Sequence, residues 1–185
     1  MPLKNCAIFI SLLLSSCAAL GTKTLYKSPN LREINTVGFC PLENDTLQQI
    51  FERTAIVSDS AVVETLKTYG WSPPRRLDSA LSFDHPDPAF IADICRRKGL
   101  DGVIVTKLQF IHVTYSMYTI PIFQNYDTEV EVKLLDSSGN VVLITRHNTL
   151  AGNSYMMPPL PERTVYDGVE GALKRMMKEF NREKQ

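Results

Sequence analysis

The chain predicts an α/β (α+β) fold: a single mixed β-sheet with helices packed over it. Three observations carry that expectation. Segments of period two and of period 3.6 follow one another as strand, helix, short strand, helix, three strands, helix. The run VIVTKLQFIHVTY at residues 103–115 opens apolar on both faces, as a central strand covered on one or both sides does. The last long segment carries Val165, Val169, Ala172, Leu173, Met176 and Phe180 as one stripe at helical spacing.

Each element has its own signal. Residues 33–39 form a first strand, closed by Cys40-Pro41 because proline has no amide for a ladder. Asn44 or Asp45 suits a helix cap, with Gln48 three residues beyond Asp45. A helix over 58–69 places Val62, Val63, Leu66 and Tyr69 on one face and ends at Gly70. Residues 46–57 extend this helix or make a turn of their own. A short edge strand falls within 71–81. The next helix starts at an Asp87 cap with Pro88 in its first position and stops at Gly99. Phe90, Ile91, Ile94 and Cys95 face inward, while Arg96, Arg97 and Lys98 suit the C-terminal dipole.

Residues 128–135, TEVEVKLL, alternate with Val130, Val132 and Leu134 inward and Glu129, Glu131 and Lys133 outward. DSSGN at 136–140 reads as a hairpin turn with Gly139 at positive φ, and 141–150 returns as the last strand. The closing helix runs over about 164–180. Gly168 and Gly171 each cost it about 1 kcal/mol of helix propensity, which a close approach to the sheet explains.

Composition narrows the function. The 185 residues hold 20 Lys plus Arg and 20 Asp plus Glu, for no net charge, so a nucleic-acid partner is not expected. A length of 185 residues suits one domain and can bury a core without metal or disulfide staples.

The N-terminus has Lys4, then an apolar run from Cys6 to Leu14, too short to cross a hydrocarbon core of about 30 Å as a helix. It reads as a secretory signal. The stretch Leu14-Ser15-Ser16-Cys17 resembles a bacterial lipobox. That resemblance implies cleavage before Cys17 and acylation of Cys17 as a membrane anchor. The alternatives are an ordinary signal peptide with an incidental cysteine, or a retained anchor. Ala18 resembles the residue after the cysteine in lipoproteins sorted to the outer membrane. The expected plan is a signal peptide at 1–16, a lipidated Cys17 with a short tether over 17–30, and a periplasm-facing α/β domain over 31–185. Such a tether holds the domain close to its membrane. Cys40 and Cys95 read as small core residues, although export makes a disulfide between them chemically possible.

IADICRRKGLDGVIVTKL, then VEVKLLDSSGNVVL, then the final amphipathic helix resemble the periplasmic domain of the curli-secretion lipoprotein (CsgG) family. They are similar also to the penicillin-binding-protein activator lipoproteins and the TolB N-terminal domain. The marks are Phe39 and Pro41, the turn at 99–102, and the hairpin from Leu134 to Gly139. The resemblance implies an envelope protein without catalytic residues. The curli channel proteins insert long amphipathic hairpins into the membrane. No spare pair of alternating segments of that length is read in this chain, so a pore is not expected.

No GxSxG, HExxH, P-loop or dinucleotide fingerprint occurs, and neither an enzyme nor a cofactor is expected. His85 lies in a DHPDP loop whose Asp87 caps a helix. His112 and His147 fall in strands and would approach each other if those strands paired. All three read as ordinary positions and not as metal ligands.

Two connections are unusually apolar, 115–126 (YSMYTIPIFQNY) and 156–161 (MMPPLP). They are either a partner surface or a cover for the core. As a surface, the candidate partner-binding residues are Met117, Tyr118, Ile120, Ile122, Phe123, Met157 and Leu160. Two functions follow. The first is a lipid-anchored, non-enzymatic assembly or adaptor subunit of an envelope complex for secretion or transport, contacting other envelope proteins or its own copies. The second is a small-molecule or glycan-binding module with Gln109, Gln124 and Asn125 as its polar groups.

Overall fold

The computed structural model describes residues 21–29, 34–42, 53–117, 120–149 and 160–183, and for those between 111 and 126 it describes the backbone. The expected lipidation site Cys17, the caps Asn44 and Asp45, and Tyr118 and Met157 lie outside the described residues.

The strands are β1 (Thr22–Lys27), β2 (Val37–Phe39), β3 (Arg75–Arg76), β4 (Gly102–Met117), β5 (Ile120–Asp136) and β6 (Val141–Asn148). The helices are α1 (Thr54–Thr68), α2 (Pro88–Lys98) and α3 (Pro161–Glu183). The strands form one mixed sheet in the order β1-β6-β5-β4-β2-β3. β2 runs parallel to β3 and β4, and the other pairs are antiparallel.

Alternation along the central strands feeds two cores. On one face Ile104, Val130, Val132, Leu134 and Leu143 meet Val62 and Leu66 of α1 and Val169, Leu173 and Met176 of α3. On the other, Val103, Val105 and Leu135 meet Ile91, Ile94 and Cys95 of α2, with Leu77 and Phe83. Both expected thiols are buried and free, and burial pushes Cys40 up to about 12. They serve as core residues.

The local signals act as read. Asp87 Oδ1 accepts from the amides of Ala89 and Phe90 at 2.9 and 3.3 Å, and Gly99 ends α2 at φ 63°. Gly70, at φ 75°, donates to the Lys67 carbonyl and Trp71 to that of Leu66, which closes α1 with paired C-terminal bonds. A Cβ at Gly168 would lie 2.6 Å from Val130 Cγ2, and one at Gly171 would lie 2.5 Å from the His147 ring. The close approach of α3 to the sheet therefore requires both glycines.

Four expectations are corrected. Within the tether expected over 17–30, Thr22–Lys27 instead forms β1 and pairs with β6. The supposed loop over 115–126 is strand, and β4 and β5 run for 16 and 17 residues as one long hairpin, so a spare alternating pair does exist. Val63 and Tyr69 are exposed, because α1 starts earlier and turns Thr54, Ser58, Ala61 and Thr65 inward with Val62 and Leu66. Lys133 points away from the first core as read, yet it is buried on the second face. There its ammonium donates to the Phe83 carbonyl and sits 4.2 Å from the centre of the Phe83 ring.

The two helices of the first layer are tied by Tyr166, whose hydroxyl donates to Glu64 at 2.6 Å. The hydrogen bond to that carboxylate raises the phenol to about 12. Tyr166→Phe is expected to cost under about 1 kcal/mol, since the pair lies at the surface. Chemical unfolding of the two proteins measures it.

Candidate functional site: the ribbon end of the sheet

Leu108, Val130, His147 and Thr22 form one row across β4, β5, β6 and β1. Just beyond this row β6 ends at Asn148, opposite Glu129. β2 has already left β4 after Ile104. Residues 110–117 of β4 and 120–128 of β5 therefore have no other strand laddered beside them among the described residues. They make a two-stranded ribbon that continues past the sheet.

Its root is fixed by threonines. The Thr128 amide donates to Thr149 Oγ1 at 2.9 Å, and the Thr128 hydroxyl donates to the Thr164 carbonyl of α3 at 2.7 Å. Asp127 is buried beside them, accepts from Thr149 Oγ1 at 3.4 Å, and has its carboxyl pushed up by that burial. On the neighbouring row Arg146 bridges Glu131 at 2.5 Å and Glu129 at 3.5 Å. Three elements thus meet where the ribbon leaves the sheet, and its root is well tied.

Register gives the ribbon two unlike faces. Ile111 pairs with Asp127, Val113 with Asn125 and Tyr115 with Phe123, which places all six on one face. His112 with Tyr126 and Thr114 with Gln124 share the other. The first face is apolar over its outer part. The second is mostly polar. At the far end Ser116 pairs with Pro121 and Met117 with Ile120, and a register shift leaves Ile122 as the extra residue. A two-stranded ribbon by itself is marginally stable in water.

A shallow groove of about 700 Å³ lies behind the root, lined by Thr22, His147, Asp167, Gly171 and Lys174 among others. His147 Nδ1 is 2.5 Å from Thr22 Oγ1, and burial lowers its pKa. That satisfied pair fits a structural histidine. β5 separates β4 from β6, so the strands of His112 and His147 do not pair. No cluster of potential metal ligands occurs among the described residues.

Comparison with protein-family profiles finds no match, and neither does comparison with curated proteins. Among solved structures, the PelC dodecamer from Paraburkholderia phytofirmans aligns at a TM-score of 0.53 and 14% identity. The alignment covers 84% of this chain and 96% of that one. A single-substitution form of the same dodecamer aligns at 0.53 and 13% identity, over 84% and 97%. The fold is similar to that of PelC. Lipoprotein GNA1162 from Neisseria meningitidis, at a TM-score of 0.32 and 13% identity over 80% and 99%, is too distant to inform the argument.

The likeness to PelC concerns the architecture alone. The motifs for the curli-secretion and TolB-type domains remain a resemblance in sequence.

The structure brings several of the sequence candidates to one end. Met117, Ile120, Ile122 and Phe123 lie in the outer ribbon. Leu160, 72% exposed, stands one turn before Thr164, whose carbonyl holds the ribbon root. The polar trio does not converge. Gln109 and Asn125 fall on one face and Gln124 on the other. Sequence reading missed Ile111 and Val113, although their alternation with His112 and Thr114 carries the signal. For the threonine root nothing in the sequence stands out.

Proposed function

We propose that this chain is an outer-membrane-anchored, periplasm-facing lipoprotein that works without catalysis as an assembly subunit of an envelope complex. Its principal partner is further copies of itself. The observation that carries this is the ribbon, which continues past the last neighbouring strand among the described residues and carries Ile111, Val113, Tyr115 and Phe123 on one face. Tyr and Phe are enriched in interface cores. The similar fold of a protein that forms a dodecamer supports assembly by repetition. The lipobox supports the anchor, and among the described residues no helix is long and apolar enough to cross a membrane. The motifs at 99–102 and 134–139 support kinship with envelope lipoproteins of the curli-secretion type.

Native mass of the protein, extracted from its own membranes in mild detergent, tests this reading. A discrete multi-copy species is expected. Ile111→Ser, Val113→Ser and Phe123→Ser together should convert it to a single copy with an unchanged melting temperature. A wild-type monomer would overturn the reading, as would a variant that assembles normally.

A further inference from the structure

The start of β1 and the ribbon leave the sheet at the same end. Thr22 lies in the row of Leu108, and from Leu108 the strand runs nine residues on to Met117, about 30 Å along its axis. From Thr22 back to Cys17 is five residues, which span at most about 18 Å. The ribbon therefore outreaches any position its anchor can take, even when it leans about 50° from the membrane normal. With Cys17 acylated, the ribbon end cannot stand clear of the bilayer in that orientation.

Composition changes along the ribbon to match. Toward the root His112, Thr114, Gln124, Asn125 and Asp127 alternate with Ile111, Val113 and Tyr126, whereas at the end Met117, Ile120, Pro121 and Ile122 outnumber the one polar residue, Ser116, among the described residues. Tyr115 and Phe123 pair between the two zones, as aromatics do at a membrane interface.

We propose that the end of the β4–β5 ribbon seats in the same lipid leaflet that holds the Cys17 acyl chains, giving the protein a second membrane contact. The inference rests on the lipid-anchor reading above. It separates two tasks: the face nearer the root meets neighbouring copies, and the end meets lipid. The depth is shallow. The free strands, eight residues over 110–117 and nine over 120–128, could span only if the whole ribbon, its polar root included, entered the hydrocarbon. Unpaired strand edges are also costly in hydrocarbon. Seating at the headgroup and upper acyl level leaves those edges hydrated.

The test uses the full lipidated protein in phosphatidylethanolamine–phosphatidylglycerol vesicles, with a polarity-sensitive fluorophore on Ile120→Cys. Met117→Cys is a second position, and Ser138→Cys at the opposite end of the sheet is the control. Cys40 and Cys95 are buried and stay unlabelled. Labels at 120 and 117 are expected to shift to the blue and lose about half their emission to a lipid-borne quencher, as a probe about 5–10 Å deep does. The label at 138 should do neither. A label at 120 and 117 open to an aqueous quencher overturns the proposal. So does one shielded from both quenchers, which would mean a protein contact instead. Intact mass reads the anchor separately. Acyl mass without lipid quenching overturns the ribbon contact alone, whereas a chain lacking acyl mass overturns the anchor reading and this inference with it.

Discussion

Gly139→Ala is expected to lower stability by about 2–4 kcal/mol and the melting temperature by roughly 5–15 °C. Two separate costs add. Gly139 sits at φ 81°, where a side chain is strained by about 1–2 kcal/mol. A Cβ there would also lie 2.5 Å from Pro88 Cα and 2.7 Å from Pro88 Cβ. Neither atom is the end of a flexible side chain, so the turn or the start of α2 must move. The turn is itself held tightly, because Asp136 Oδ1 accepts from the amides of Ser138 and Asn140 at 2.8 and 2.9 Å. Gly70→Ala isolates the first cost, since Gly70 has φ 75° and nothing within 4 Å of an added Cβ. It should cost only about 1–2 kcal/mol. Equal losses in calorimetry would mean that the β5–β6 turn does not rest on α2.

The same contact shows why much of this fold is legible in sequence. Asp87, Pro88 and Gly99 bracket α2 by purely local chemistry, and the turn at 136–140 is likewise specified within five residues. The α3 stripe from Val165 to Phe180 reads directly because every member is buried and all but Val165 belong to one core. Where burial depends on a distant element, the reading fails. Thr22–Lys27 is half exposed, carries Lys23 and Lys27, and is held by β6 more than 110 residues away. Charged, polar edge strands of this kind resist aggregation and look like linkers. Lys133 alternates outward, and only the segment bearing Phe83 turns that position into a buried one. The ribbon was obscured by Pro121 and by polar residues alternating with Ile111 and Val113. Its apolar character was visible, but its strand conformation depends on pairing across the hairpin, which no single window contains.

Asp101→Ala is expected to cost about 1.5–3 kcal/mol at neutral pH, through hydrogen bonds to a charged acceptor. Asp101 Oδ2 accepts from Thr36 Oγ1 and the Thr36 amide, both at 2.8 Å, and from the Asn35 amide at 3.0 Å. Its own amide donates to the Thr36 carbonyl at 2.8 Å. One carboxylate thus fastens the entry to β2 beside the entry to β4, where the parallel ladder is only three residues long. The Thr36 hydroxyl, and then the Thr36 and Asn35 amides, hold this carboxyl below the usual aspartate range. The sign follows. With a native pKa below the unfolded value of about 3.9, the folded state binds fewer protons between the two. The contribution is complete above the unfolded pKa and disappears as pH falls through the native one. Urea unfolding of Asp101→Asn and wild type should therefore differ clearly at pH 7 and converge in acid. Subtracting the two proteins removes the other carboxylates from the comparison, including Asp84 and Asp93, which are lowered, and buried Asp127, which is raised. A difference independent of pH would assign the role to packing around Thr36. Because Asp101 and the ribbon end lie at opposite ends of β4, the substitution should also leave the native assembly mass unchanged. A lost assembly would mean that the ribbon senses how firmly β2 is held at the far end of the same strand.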